Sequence, residues 1–232
     1  MNTPPPSQRW RLVFAKTEAM RYTGNLDVQR TLERMFRRAD LPLRHSRGYN
    51  PRPKMHIASA LPLGVTGRAE LMDFWLEQPL EREDLLGRLR AAQAPGLHVQ
   101  DVELVDPAEP ALQNRVQAAE YEARLLEPQP DLPRRVAARL NQAHLWRERR
   151  GKTYDLRPLI LSLRVLPPTP GDAGPRLHML LAARPAATGR PDEVLKVLGV
   201  DPALARVERV GIHLRPWPET PPASPSRAQN PG

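Results

Sequence analysis

Gln117-Ala118-Ala119-Glu120-Tyr121-Glu122-Ala123-Arg124-Leu125-Leu126 alternates Ala119, Tyr121, Ala123 and Leu125 with polar side chains. A period of two is the signature of a strand with one buried face. The stretch decides the fold because it is the second opening of this kind. Residues 9–15, Arg-Trp-Arg-Leu-Val-Phe-Ala, alternate in the same way, and the elements after each opening come in the same order.

After residues 9–15, a helix over 26–39 turns Leu32, Met35, Phe36 and Ala39 inward, with Asn25 as its N-cap. Strands over 54–62 and 69–77 flank the Pro62-Leu63-Gly64 turn. Leu85, Leu86, Leu89 and Ala92 make a second helix face, and residues 97–105 a last strand with Leu97, Val99 and Val102 or Leu104 inward. After residues 117–126, a helix over 131–142 is capped by Asp131 and faces inward through Val136, Ala137 and Leu140. Strands over 157–166 and 176–184 flank a proline-rich loop, Pro167 to Gly171. Pro191 opens a helix with Asp192 and Glu193 in its first turn, Gly199 ends it, and residues 205–214 close the half. Each half reads β-α-β-β-α-β, and corresponding elements are offset by roughly 103 to 109 residues. The expectation is an α+β chain of two tandem ferredoxin-like units, 9–106 and 117–214, produced by internal duplication and joined by a linker over 107–116. Residues 1–8 read as a disordered leader and 215–232 as a disordered proline-rich tail.

The chain has 232 residues and a formal charge of +9, and 31 of its 35 cationic side chains are arginine. Arginine pairs bidentately with phosphate and stacks on bases, so this balance favours anionic partners. There is no cysteine, which excludes disulfides, thiolate zinc sites and a cysteine-ligated iron–sulfur cluster within the chain. That fits a reducing cytoplasm. The first residues, Met1-Asn2-Thr3-Pro4-Pro5-Pro6, have no apolar core of a secretory signal, and no apolar run approaches the ~18 residues of a membrane span.

The charge is concentrated. Residues 9–54 carry twelve Lys or Arg against four Asp or Glu. Arg30, Arg34, Arg37 and Arg38 share one face of the first helix. The helix feeds the segment Arg44-His45-Ser46-Arg47-Gly48-Tyr49-Asn50-Pro51-Arg52-Pro53-Lys54. Pro51 and Pro53 stiffen it, Gly48 permits a sharp turn, and the expected product is an arm presenting Arg47, Arg52 and Lys54 to phosphates and Tyr49 to a base. The second half has a basic segment at the same place, Arg147 to Arg157, with Arg149, Arg150 and Lys152 as candidates and Glu148 and Asp155 diluting it. If the halves pack pseudo-symmetrically, the two segments line one groove.

Elsewhere the chemistry is sparse. Lys16 ends the first strand and reads as a solvated strand end. Asp155 followed by Arg157 reads as an internal ion pair. The six histidines lack metal-ligand spacing. Phosphate-binding glycine loops, a nucleophile elbow and a paired-carboxylate site are all missing from the sequence, and no cofactor is implied.

Several runs together resemble the radical-SAM-linked protein family, a bacterial domain of unknown function. They are Gly24-Asn25-Leu26-Asp27 through Arg34, Arg37-Arg38-Ala39, Leu41-Pro42-Leu43, Ser46 through Lys54, and Pro62-Leu63-Gly64-Val65. Gly151-Lys152 with Asp155 through Ile160 resembles that family's second block. The resemblance implies a separate radical S-adenosylmethionine enzyme as partner, carrying the cysteine-bound cluster that this chain cannot hold. Together the readings give an RNA-binding accessory, with tRNA or rRNA as candidate ligands and without catalysis of its own. Two alternatives stand beside it: a metal-independent endoribonuclease using His45, Tyr49 and Lys54, and a module that docks the partner enzyme.

Overall fold

The computed structural model describes residues 7–216. The outer parts of the expected leader and tail, 1–6 and 217–232, lie outside the described residues. The first half runs β1 (Gln8–Lys16), α1 (Asn25–Arg38), β2 (Met55–Ile57), β3 (Thr66–Leu76), α2 (Arg82–Ala91) and β4 (Leu97–Val105). A short helix α3 (Leu112–Arg115) leads to β5 (Val116–Leu125) and α4 (Leu132–Leu140). A hairpin of β6 (Trp146–Arg149) and β7 (Lys152–Asp155) precedes β8 (Ile160–Leu166), β9 (Arg176–Arg184) and β10 (Ala187–Thr188). The described chain closes with α5 (Pro191–Val197) and β11 (Ala205–Leu214).

The fold is α+β, with helices on a large mixed sheet. Its nine strands follow the order β10-β9-β5-β11-β3-β1-β4, with β2 also on β3 and β8 also on β9. Within the first half the order is β4-β1-β3-β2, within the second β11-β5-β9-β8, and all these neighbours are antiparallel. The halves join where β11 runs parallel to β3, with Glu208 opposite Thr66 and Arg209 opposite Gly67. This pair makes the sheet mixed.

Alternation explains the two faces. Trp10, Leu12 and Phe14 of β1 lie with Met72, Phe74 and Leu76 of β3 under α1 and α2. Phe36 of α1 meets Phe74 with ring centroids 4.8 Å apart, a pairing worth about 0.5–1.5 kcal/mol beyond its burial. A second cluster sets Tyr121, Ala123 and Leu125 of β5 beside Met179 and Leu181 of β9, under Val136 and Leu195.

On the opposite face, Arg9 and Arg11 of β1 both bond the fully buried Asp73. Residues 109–115, expected as a plain linker, cover this network. Arg9 donates to the carbonyls of Glu109 (2.6 Å) and Pro110 (2.9 Å), Arg11 pairs with the Glu109 carboxylate (2.6 Å), and Arg115 closes on the same carboxylate. Leu112 packs with Ala58 and Val116 beside it.

Several boundaries differ from the sequence reading. Asn25 is the first helical residue, and Gly24, with extended backbone, is the N-cap. Asp131 precedes α4 without a side-chain cap, and Ala137 is exposed. The expected strand over 54–62 keeps only Met55–Ile57, because Ser59 to Pro62 leave the sheet. Residues 157–159 form a 3₁₀ turn, so β8 begins at Ile160. Leu104 points to solvent and Val102 inward. The second basic segment is a hairpin. Its two-residue turn places Arg150 at φ 51° and Gly151 at φ 72°, the pair of positive values that a type I′ turn requires.

Candidate functional site

The arm over 44–54 is anchored to the edge of β3 by backbone bonds. The Arg44 amide donates to the Trp75 carbonyl (2.8 Å), and the Trp75 amide donates to the Lys54 carbonyl (3.2 Å). Within the arm, the Lys54 amide donates to the Arg44 carbonyl (2.7 Å) and the Ser46 amide to the Arg52 carbonyl (2.8 Å). The Ser46 hydroxyl accepts from the Arg52 amide (3.1 Å), and His45 bridges Pro53. Gly48 sits at φ 145°, in the region that favours glycine. The closed base leaves Arg47, Tyr49 and Arg52 at an exposed tip, and Tyr49 is 100% exposed.

At the base of the arm, cations crowd an aromatic ring. The Lys54 ammonium lies 4.3 Å from the Trp75 ring centroid and the Arg9 guanidinium 5.4 Å from it. His56 meets the same ring edge-on at 5.2 Å. Partial burial pushes the Lys54 ammonium below its ordinary value, and the Arg44 and Arg9 charges push it further in the same direction. Burial and then Lys54 hold the His56 imidazolium below its ordinary value, so His56 adds a neutral donor and acceptor at pH 7. Arg44 itself donates to the Ser7 hydroxyl (2.8 Å). Arg9 is compensated by Asp73, so among the described residues Lys54 and Arg44 are the cations here without a carboxylate partner, and such charge favours anions. Arg44, His56 and Trp75 do not stand out in the sequence as site residues. Trp75 reaches the arm only through the register of β3, and no local pattern announces that contact.

The helix arginines are exposed on α1, but two have local partners. Arg30 pairs with Asp27 (3.1 Å), and Arg34 donates to the Thr31 hydroxyl (3.4 Å). Arg37 is exposed in the last turn, and Arg38 donates to the Ala92 carbonyl (2.6 Å).

The two basic segments belong to different parts of the fold: the arm is anchored on β3, and the β6–β7 hairpin forms a sheet of its own. Two strands, β5 and β11, separate β9 from β3, roughly 14 Å at ordinary strand spacing. Arg149, Arg150 and Lys152 border a cleft of about 480 Å³ whose other wall is residues 186–190 of their own half. Arg147 reaches α5, where it pairs with Glu193 (2.8 Å). The anticipated Asp155–Arg157 ion pair is replaced by other bonds. Asp155 accepts from the amides of Leu145 and Arg157 and contacts His144 Nδ1, while the Arg157 side chain donates to the Leu140 carbonyl.

Lys16 is 2% exposed, not solvated. Its ammonium donates to the carbonyls of Arg21 (3.1 Å) and Val65 (3.2 Å). Burial lowers its pKa, nearby Glu70 opposes that, and Arg209 reinforces it. Glu70 is committed to Arg209, so Lys16 belongs to the polar seam between the halves. Among the described residues no group of His, Asp and Glu could hold a metal ion, and no helix is long and apolar enough to cross a membrane.

The fold defines an α+β protein with a large mixed sheet and exposed cationic segments. Residues 9–191 match the family described as uncharacterized protein conserved in bacteria (DUF2344), and the chain belongs to that family. No curated protein matches the chain.

Proposed function

We propose that this protein is a non-catalytic RNA-binding accessory of a radical S-adenosylmethionine system, acting in the cytoplasm. Two ferredoxin-like units, 9–106 and 117–214, arose by duplication and present RNA to a separate enzyme that carries the iron–sulfur cluster. The repeated strand order, each half antiparallel and each with its basic segment after the first helix, supports the duplication. The partner rests on the resemblance carried by Ser46 through Lys54 and by Gly151 through Ile160.

One observation carries the RNA reading. Lys54 over Trp75 and the neighbouring Arg44, neither with a carboxylate partner among the described residues, sit at the base of an arm whose tip offers a fully exposed Tyr49 between Arg47 and Arg52. Phosphate supplies the missing counter-charge, and a base stacks on the tyrosine. Arg30, Arg34 and Arg37 extend the footprint along α1, and Arg149, Arg150 and Lys152 add a second patch. The endoribonuclease alternative is served less well, because Lys54 is engaged with the Trp75 ring and lies at the base of the arm, away from Tyr49 at its tip.

The test is recovery and sequencing of RNA crosslinked to the protein in its native host, beside an Arg47→Ala/Arg52→Ala/Lys54→Ala variant. A defined RNA that the variant loses is the expected result. Recovery of a partner enzyme without enriched RNA would replace this reading with the docking one.

A further inference from the structure

The cleft beside the β6–β7 hairpin has a composition that the arm does not share. Register places Arg147, Arg149, Lys152 and Tyr154 on one face of the hairpin, since Arg147 pairs with Tyr154 and Arg149 with Lys152. Arg149, Arg150, Lys152 and Arg190 border the cleft, with Tyr154 and Leu159 among its walls. Among the described residues, Arg149, Arg150 and Lys152 make no side-chain hydrogen bond or ion pair. Arg190 has only a long contact to Asp192 (3.3 Å). Asp155, the one carboxylate among the described residues lining the cleft, is occupied by two amides and His144, and Glu193 and Asp192 lie close enough to act on Tyr154.

The Tyr154 hydroxyl is buried and has no hydrogen-bond partner. An unpaired buried hydroxyl is a cost, and a phenylalanine would avoid it. The opposite wall is also held at a cost. Ala186 adopts φ 62° without being glycine. Gly189 lets that wall approach the 3₁₀ turn before β8, since a Cβ there would lie 3.0 Å from the Leu159 carbonyl oxygen. Unpaired cations, the Tyr154 side chain and an apolar patch border a space of about 480 Å³, within the range of small-ligand sites.

We propose that this cleft is a nucleotide pocket: the hairpin cations and Arg190 take the phosphate, the base lies against Leu159 and the alanines of 186–187, and the Tyr154 hydroxyl bonds the base or ribose. The ligand is a nucleoside monophosphate, free or as an unpaired nucleotide of an RNA chain. The inference rests on the RNA reading only in choosing a nucleotide over another phosphate ester.

The experiment is equilibrium titration of the full chain with AMP, CMP, GMP and UMP, with inorganic phosphate, and with a 5′-phosphorylated single-stranded hexaribonucleotide. Three variants run beside the wild type: Arg150→Gln/Lys152→Gln, Tyr154→Phe and Arg47→Gln/Arg52→Gln. The expected result is saturable binding of at least one mononucleotide. The hairpin double variant weakens it tenfold or more. Tyr154→Phe weakens it severalfold without lowering the melting temperature, and the arm variant leaves it unchanged. Hexamer binding tighter than the mononucleotide assigns the pocket to RNA, and the reverse assigns it to a free nucleotide; both uphold the pocket. No saturable mononucleotide binding, or binding that the hairpin and Tyr154 variants leave unchanged, overturns it. Loss of the pocket with arm-dependent RNA binding intact leaves the proposed function standing. A working pocket without RNA binding removes that function instead.

Discussion

Arg209 of the last strand and Glu70 of β3 form a buried ion pair across the parallel seam, Arg209 Nε donating to Glu70 Oε1 at 2.8 Å. Both side chains are at most 3% exposed. Arg209 also donates to the Ser59 carbonyl (2.8 Å), and its remaining Nη1 is buried without a partner. The Glu70 charge and bond overcome the burial that would by itself favour loss of the proton, so the guanidinium stays charged. Removing one partner strands the other charge, so Glu70→Leu or Arg209→Met alone costs about 3–5 kcal/mol. The Glu70→Leu/Arg209→Met double replacement costs less than the sum of its singles. Urea unfolding of all three measures this, and additive costs would show that the pair does not couple the halves.

Glu109 predicts an acid limit to stability. Burial raises its pKa, but the bonds from Arg11 and Arg115 outweigh burial and hold the carboxyl below its ordinary value. A depressed carboxylate contributes stability that is complete above the unfolded value of about 4.3 and is lost as pH falls through the lower folded value. Wild type therefore loses part of its urea midpoint between pH 5 and pH 3. Glu109→Gln starts lower at pH 7 and declines less over that window. An identical decline in both proteins would assign the acid sensitivity elsewhere.

The parts of the fold written in local period were legible in the sequence. Residues 176–184 and 205–214 form strands with the expected bounds, because alternation and flanking turns agree there. The contacts that give the site its character were not legible, because they depend on distant partners. Lys16 is buried only because the carbonyls of Arg21 and Val65 converge on it, and Lys54 meets Trp75 only through strand register. The β6–β7 hairpin was hidden by its turn, where Arg150 holds a place usually given to asparagine, aspartate or glycine. The arm's cations were visible as charge, but their anchoring was not.

That turn carries its own prediction. Arg150 occupies a left-handed conformation at φ 51°, so Arg150→Asn relieves strain and stabilises the protein by about 0.5–1 kcal/mol. The same change removes a cation from the cleft and weakens phosphate-ester binding. Opposite movement of the melting temperature and the affinity would indicate that the arginine is kept for binding. A variant that gains stability and keeps its affinity would leave the strain unexplained.

Arg47 and Tyr49 sit two residues apart on the arm's exposed tip, yet they predict different losses of RNA affinity. An arginine that neutralises a phosphate releases a counterion, so Arg47→Ala lowers the slope of log affinity against log salt by about 0.7 on single-stranded RNA. A tyrosine that stacks on a base releases none. Tyr49→Ala costs about 1–3 kcal/mol at every salt concentration and leaves the slope unchanged. Arg38→Ala is the control, because that side chain is committed to the Ala92 carbonyl and its removal leaves the slope unchanged. Titrations of a single-stranded RNA at about 50, 100 and 200 mM salt separate the three. A changed slope in Tyr49→Ala, or an unchanged one in Arg47→Ala, would show that the arm meets its ligand by some means other than phosphate pairing beside a stacked base.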